Sequence, residues 1–166
     1  PLPGFPQDRY KEFKADPQVK YGTLPNGVRY AIQKWPIPKN EVAIRLRIGA
    51  GSLNENENQR GLMHFLEHMA FNGSKNVPEN EFDRMLEREG LAFGADTNAY
   101  TSFDEVVYQL DMPKSDKLDL GLMLMRETAS NLTIAPEAID RERGVIEGEE
   151  RARENPNYRV FRSYLN

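Results

Sequence analysis

His64, Glu67 and His68 are the residues of this 166-residue chain whose types and spacing could do chemistry together. They are carried by the stretch G-L-M-H-F-L-E-H-M-A-F-N-G, residues 61–73, and the two histidines are the only ones in the sequence. On a helix of 3.6 residues per turn, a spacing of four stacks both imidazoles on one face, about one turn apart. Neutral imidazole nitrogens suit zinc, and a catalytic zinc site keeps three protein ligands and one water, whose pKa falls from about 15.7 to about 7. Glu67, between the rings, is placed to take that water's proton as a general base without being a ligand. Leu62, Met63, Phe65, Leu66, Met69 and Phe71 mark the helix as largely buried, where a charged glutamate needs a partner or a metal-linked role.

The order H-x-x-E-H inverts the H-E-x-x-H zinc-peptidase motif and is the inverzincin pattern. Lone histidines on apolar helices are more often ordinary core or surface residues, but the pair with its intervening glutamate favours a metal. A third ligand has to come from another element. The spacing predicts a long helix from Pro136 to about Glu154, on which Glu142 and Glu149 stand seven residues apart on one face, with Val145 and Ile146 turned toward the core. An oxygen ligand from that face would complete a two-histidine, one-carboxylate set, and a second carboxylate could orient a ligand. On spacing alone the same run, with Glu147, Glu150, Glu154 and the neighbouring arginines, also reads as a solvated, ion-paired helix, the commoner arrangement.

The elements that must position these residues follow from local pattern. Tyr21 to Lys34 predicts two strands about Pro25-Asn26-Gly27, and Val42 to Ile48 alternates as a half-buried strand. Asn54 to Arg60 is a polar connection into the histidine helix, closed by Asn72-Gly73. A second helix opens at Pro78-Glu79 and ends at Gly90, and Phe93 to Met112 predicts a hairpin turning near Phe103-Asp104. The first arm of that hairpin is a poor core strand and a plausible edge, which fits either an added peptide strand or a bare, twisted edge. Ser115 or Asp116 caps a helix through Ala129, and Pro156 stops or kinks the last one. Residues 1–19 read as an irregular arm with one helical turn near Arg9 to Phe13.

Composition narrows the function. Lys+Arg 22 against Asp+Glu 26 gives a net charge of −4, which argues against a nucleic-acid or membrane-surface partner. No apolar run approaches the roughly 18 residues of a membrane span, and Pro1 opens on no signal-peptide pattern. The absence of cysteine excludes thiol catalysis and disulfides.

H-F-L-E-H-M-A-F-N-G-S, then N-A-Y-T-S, then D-R-E-R-G-V-I-E-G-E, in this order, resemble the pitrilysin family of zinc metallopeptidases, especially its bacterial members. The family also includes insulin-degrading enzyme and the mitochondrial processing peptidase β subunit. The resemblance covers about Tyr21 to Arg153 and implies an α+β fold, a mixed and largely antiparallel sheet backed by helices. It implies zinc held by His64, His68 and Glu149, with Glu150 the nearest rival, and Glu67 and Glu142 as the catalytic carboxylates, Glu142 in support. Asn98 and Ala99 are implied to hold substrate on an edge strand. The activity implied is hydrolysis of peptide bonds in short or unfolded polypeptides, in the periplasm. Residues 20–166 would be the N-terminal part of the peptidase domain, inactive or weakly active without the rest and its homologous C-terminal partner. The alternative is a non-catalytic peptide-binding or assembly module whose zinc is structural or absent.

Overall fold

The computed structural model describes residues 16–92 and 94–165, so the expected turn near Arg9 lies outside the described residues. The chain divides into two compact units, one up to Lys39 and one from Asn40 onward. In the first, β1 (Val19–Thr23) and β2 (Arg29–Gln33) pair antiparallel, Val19 opposite Gln33 and Thr23 opposite Arg29. The turn expected at Pro25-Asn26-Gly27 closes through Leu24 N–H to Val28 C=O, 2.8 Å, and Val28 N–H to Asn26 Oδ1, 3.2 Å.

The second unit is built on a three-stranded antiparallel sheet in the order β3 (Val42–Ile48), β5 (Val106–Met112), β4 (Thr97–Thr101). The most apolar strand takes the centre. Its Val106, Tyr108, Leu110 and Met112 are buried, and the ladder places Val42, Ile44 and Leu46 beside them on one face. Period-two alternation sends Arg45 and Arg47 to the other face. There Arg45 makes a two-pronged pair with Asp111, 2.6 and 2.9 Å, and Arg47 binds Glu105. Every strand pairing among the described residues is antiparallel, and with the helices this makes an α+β fold.

The described residues also form the helices α1 (Leu62–Met69), α2 (Glu81–Arg88), α3 (Leu118–Ser130), α4 (Pro136–Arg153) and α5 (Pro156–Leu165). α3 packs on β3 and β5, whereas α1 packs on α4 and β4. α2 starts two residues later than its proline suggests, because Asn80 is left-handed, φ 66°. Gly90, φ 78°, ends it with Gly90 N–H to Glu87 C=O, 2.9 Å, and Leu91 N–H to Leu86 C=O, 3.0 Å, which buries Leu91 against the core.

Three expectations are corrected. α1 is half-buried rather than largely buried: Met69 is enclosed, but Leu62 is 42% exposed. Val145 on α4 is exposed, because it flanks the face centred on Glu142, Ile146 and Glu149 instead of lying within it. No side chain caps α3; a short 3-10 turn, Ser115–Lys117, winds into it. Pro156 ends α4 by opening α5, whose first turn is capped by Asn155 Oδ1 accepting from Tyr158 N–H, 3.0 Å.

Candidate metal centre

The one helical turn between His64 and His68 brings their Nε2 atoms to 3.2 Å, the rings edge to face at 86°. α4 crosses α1 so that the Glu149 carboxylate meets both: Oε2 is 3.5 Å from His64 Nε2, and Oε1 is 3.5 Å from His68 Nε2. Among the described residues this is the one group of three or more histidine and acidic side chains that could hold a metal ion. Zinc at its usual 2.0–2.1 Å from tetrahedral ligands sets them about 3.4 Å apart, close to the separation of the two Nε2 atoms and to the approach of each Glu149 oxygen to its nearer histidine, and one donor atom from each residue lies within 4.8 Å of the others. Glu150 is exposed and outside the group.

The donors are also in the right chemical state. Glu142 Oε1 lies 2.6 Å from His68 Nδ1, and because a carboxylate can only accept, it selects the tautomer with the proton on Nδ1 and the lone pair on Nε2. Glu142 is itself fixed by Asn72 Nδ2, which donates to its Oε2 at 3.1 Å and to the His68 C=O at 3.1 Å. Burial, then the neighbouring His68, holds the His64 imidazole below its ordinary value, so the neutral ring predominates at pH 7. Arg153 Nη2 binds Glu149 Oε2 at 2.7 Å and steadies the carboxylate.

Glu67, between the two histidines on α1, is tied to the sheet through one oxygen and is not one of the three grouped side chains. It is 8% exposed, and its Oε2 accepts a 2.5 Å hydrogen bond from Thr101 Oγ1 on β4. Burial, with the Glu67 charge beside it, pushes the Tyr108 hydroxyl above its ordinary value, a sign of the dry surroundings.

The loop before α1 sets the helix in place. Glu55 forks onto its N-terminus, Oε2 accepting from Gly61 N–H at 2.8 Å and Oε1 from Met63 N–H at 2.7 Å. There the carboxylate meets free amide donors and the positive end of the helix dipole. The same loop is fastened to the β4–β5 turn by Ser52 N–H to Ser102 C=O, 3.1 Å, and Leu53 N–H to Phe103 C=O, 2.9 Å. Gly51 permits this approach, since a Cβ there would meet the backbone of Ser102, Phe103 and Asp104.

Asn98 and Ala99 lie on β4, an outer strand of the sheet. Ser102 N–H to Glu105 C=O and Asp111 N–H to Asp96 C=O bracket the ladder. Alternation therefore turns the N–H and C=O of Thr97, Ala99 and Thr101 away from β5. Thr97 is occupied by Ala92 C=O and Gly94 N–H, which leaves Ala99 and Thr101 as the open edge. Asn98 Oδ1 covers the Ala99 N–H at 2.9 Å.

Spacing alone missed Asn72, Thr101 and Glu55, whereas Arg153 belongs to the arginines read as pairing with the glutamates of its helix. The first two stand inside the recognised stretches H-F-L-E-H-M-A-F-N-G-S and N-A-Y-T-S, so a signal existed, but nothing in the spacing says which partner each side chain meets.

The family described as Insulinase (Peptidase family M16) matches residues 31–165. A probable zinc protease PqqL of Haemophilus influenzae is 43% identical over 147 residues, covering 87% of this chain and 16% of that protein. The rat mitochondrial-processing peptidase subunit beta is 38% identical over 149 residues, 86% of this chain and 29% of that one. The crystal structure of the first half of the periplasmic protease PqqL from Escherichia coli superposes with TM-score 0.81 at 41% identity, over 87% of this chain and 31% of that one. This chain thus spans about a sixth to under a third of the proteins it is similar to. The family match takes in α1 and α4, and the chain belongs to the insulinase family of peptidases, family M16.

Proposed function

We propose that this chain is the zinc-holding part of a metalloendopeptidase that cleaves peptide bonds in short or unfolded polypeptides. The observation that carries the reading is the set of three donors, His64 Nε2 and His68 Nε2 3.2 Å apart and the Glu149 carboxylate with one oxygen 3.5 Å from each, with Glu67 beside them held through one oxygen only. Bound there, zinc would supply a Lewis acid for the scissile carbonyl and lower the pKa of the attacking water. Glu142 holds His68 in the ligating tautomer. Glu67 Oε1 takes the proton from the attacking water and returns it to the leaving amine. A peptide in extended form joins the open edge at Ala99, where it displaces the Asn98 side chain from the Ala99 N–H and pairs through backbone alone, which makes binding tolerant of sequence.

Homologous further domains complete the active enzyme, and the periplasm is its compartment, as for the Escherichia coli protein it resembles. No helix among the described residues is long and apolar enough to cross a membrane. Elemental analysis tests the ligand set: one zinc per chain is expected, lost in Glu149→Gln and kept in Glu150→Gln. In the full-length enzyme, Glu67→Gln should keep its zinc and lose turnover; full turnover would overturn the mechanism. Peptide capture that survives metal removal, with no cleavage, would favour the non-catalytic module instead.

A further inference from the structure

A general base must present one lone pair in one direction, and a glutamate side chain has several torsions to hold before it can do so. We propose that Thr101 is the positioning residue that holds Glu67, so that the proton acceptor and the peptide-bearing strand form one mechanical unit. The inference rests on Glu67 being that acceptor.

Thr101 Oγ1 donates to Glu67 Oε2 at 2.5 Å, and none of the described residues donates to Oε1. One oxygen is thereby tied and the other left to accept. A β-branched side chain has few χ1 wells, so threonine delivers its hydroxyl to a narrower range of positions than serine does. The backbone beneath it is held as well. Thr101 ends β4 opposite Val106, and the turn that follows is closed by Ser102 N–H to Glu105 C=O at 2.8 Å and pinned by Ser52 and Leu53.

The same residue faces two ways. Its side chain lies on the α1 side of the sheet, while its N–H and C=O continue the open edge begun by Ala99. A peptide that pairs along this edge therefore contacts the backbone of the residue whose side chain holds the base. Tight pairing and correct aim of Glu67 go together, and the strand is ordered where the substrate needs it.

The experiment compares Thr101→Val and Thr101→Ser in the full-length enzyme, with Thr101→Val also made in the Glu67→Gln background. Loss of a hydrogen bond to a charged group predicts a kcat for Thr101→Val about 10 to 100-fold lower, with KM and zinc content unchanged. Thr101→Ser, which keeps the hydroxyl, should recover to within about fivefold of the parent, its freer rotamer accounting for the difference. On the Glu67→Gln background, Thr101→Val should lower the residual rate no further, because no proton acceptor remains to be aimed. Parental kcat in Thr101→Val, an equal loss in both backgrounds, or a loss matched by missing zinc would each overturn the inference while leaving the role of Glu67 intact. Full turnover in Glu67→Gln would overturn the reading of Glu67 itself, and this inference with it.

Discussion

At the scale of single residues, the site is a chain of acceptors and donors that fixes His68 from behind. Asn72 holds Glu142, Glu142 accepts a hydrogen bond from Nδ1–H, and Nε2 faces His64 and Glu149. A ligand with a fixed tautomer loses no binding energy to ring rotation or to the wrong protonation state, which is why such partners typically matter 10 to 100-fold in metal affinity. Glu142→Ala should therefore weaken zinc binding by about that factor in a chelator-competition titration. Glu147→Ala is the control, since Glu147 is exposed and faces only Arg151 at 3.8 Å, and it should change nothing. The motif H-x-x-E-H was legible because two candidate ligands and the proposed base share a single helix. The third ligand was not legible from spacing, because a glutamate run with interleaved arginines looks the same whether or not it faces a metal.

At the scale of elements, α1 is a short helix that carries the centre on eight residues, so its N-terminal anchoring matters more than its length suggests. Glu55 satisfies two of its free amides with a charge at the favourable end of the dipole. Glu55→Ala should cost about 1 to 2 kcal/mol in chemical denaturation, whereas Glu57→Ala, which loses an exposed pair with Arg60, should stay within about 0.5 kcal/mol. Gly51 makes the neighbouring junction. An added methyl would lie 2.6 Å from Phe103 C and 2.7 Å from Asp104 N, backbone atoms that cannot swing aside. Gly51→Ala is expected to lose about 1 to 3 kcal/mol and to shift the β4–β5 turn, read as faster amide exchange at Ser102 and Phe103. Neither contact could be read beforehand: Glu55 stood in a stretch legible only as polar, and its two bonds depend on how the loop folds back over eight residues.

At the scale of the whole second unit, the two helices that carry the candidate metal donors are tied together by a clamp between them in the chain. The Glu127 carboxylate on α3 is buried and accepts from Ser74 Oγ at 2.7 Å, Asn76 N–H at 3.0 Å, Asn76 Nδ2 at 2.8 Å and Asn131 Nδ2 at 2.7 Å. It fastens the segment leaving α1 to the segment entering α4, alongside the bridge of Ser74 with Leu132. The Asn76 side-chain hydrogen bond, then that of Ser74, lowers its pKa from an ordinary 4.5 to about 2. The folded state thus favours the ionised form, so this stabilisation is present above the ordinary value and fades as pH falls from about 4.5 toward about 2. Glu127→Gln should be less stable than the parent at pH 7, with the gap closing across that window, as read from denaturation midpoints at a series of pH values.

The sequence by itself determined the candidate residues and most of the elements that carry them. The pair His64 and His68 with Glu67, the period-two strand Val42 to Ile48, the Asn-Gly hairpin and the Gly90 stop all depend on local spacing or local backbone conformation, and each is legible one element at a time. Helix α5 went unread because Pro156 looks like a terminator until Asn155 is seen capping the turn that follows. Only the tertiary structure decided that Glu149 and not Glu150 reaches the histidines, that Glu142 and Asn72 lock His68, and that Thr101 meets Glu67. Those pairings join residues from 34 to 85 positions apart, and no local rule reports on them. They follow from how α1, α4 and β4 pack, which is set by the burial of the whole unit.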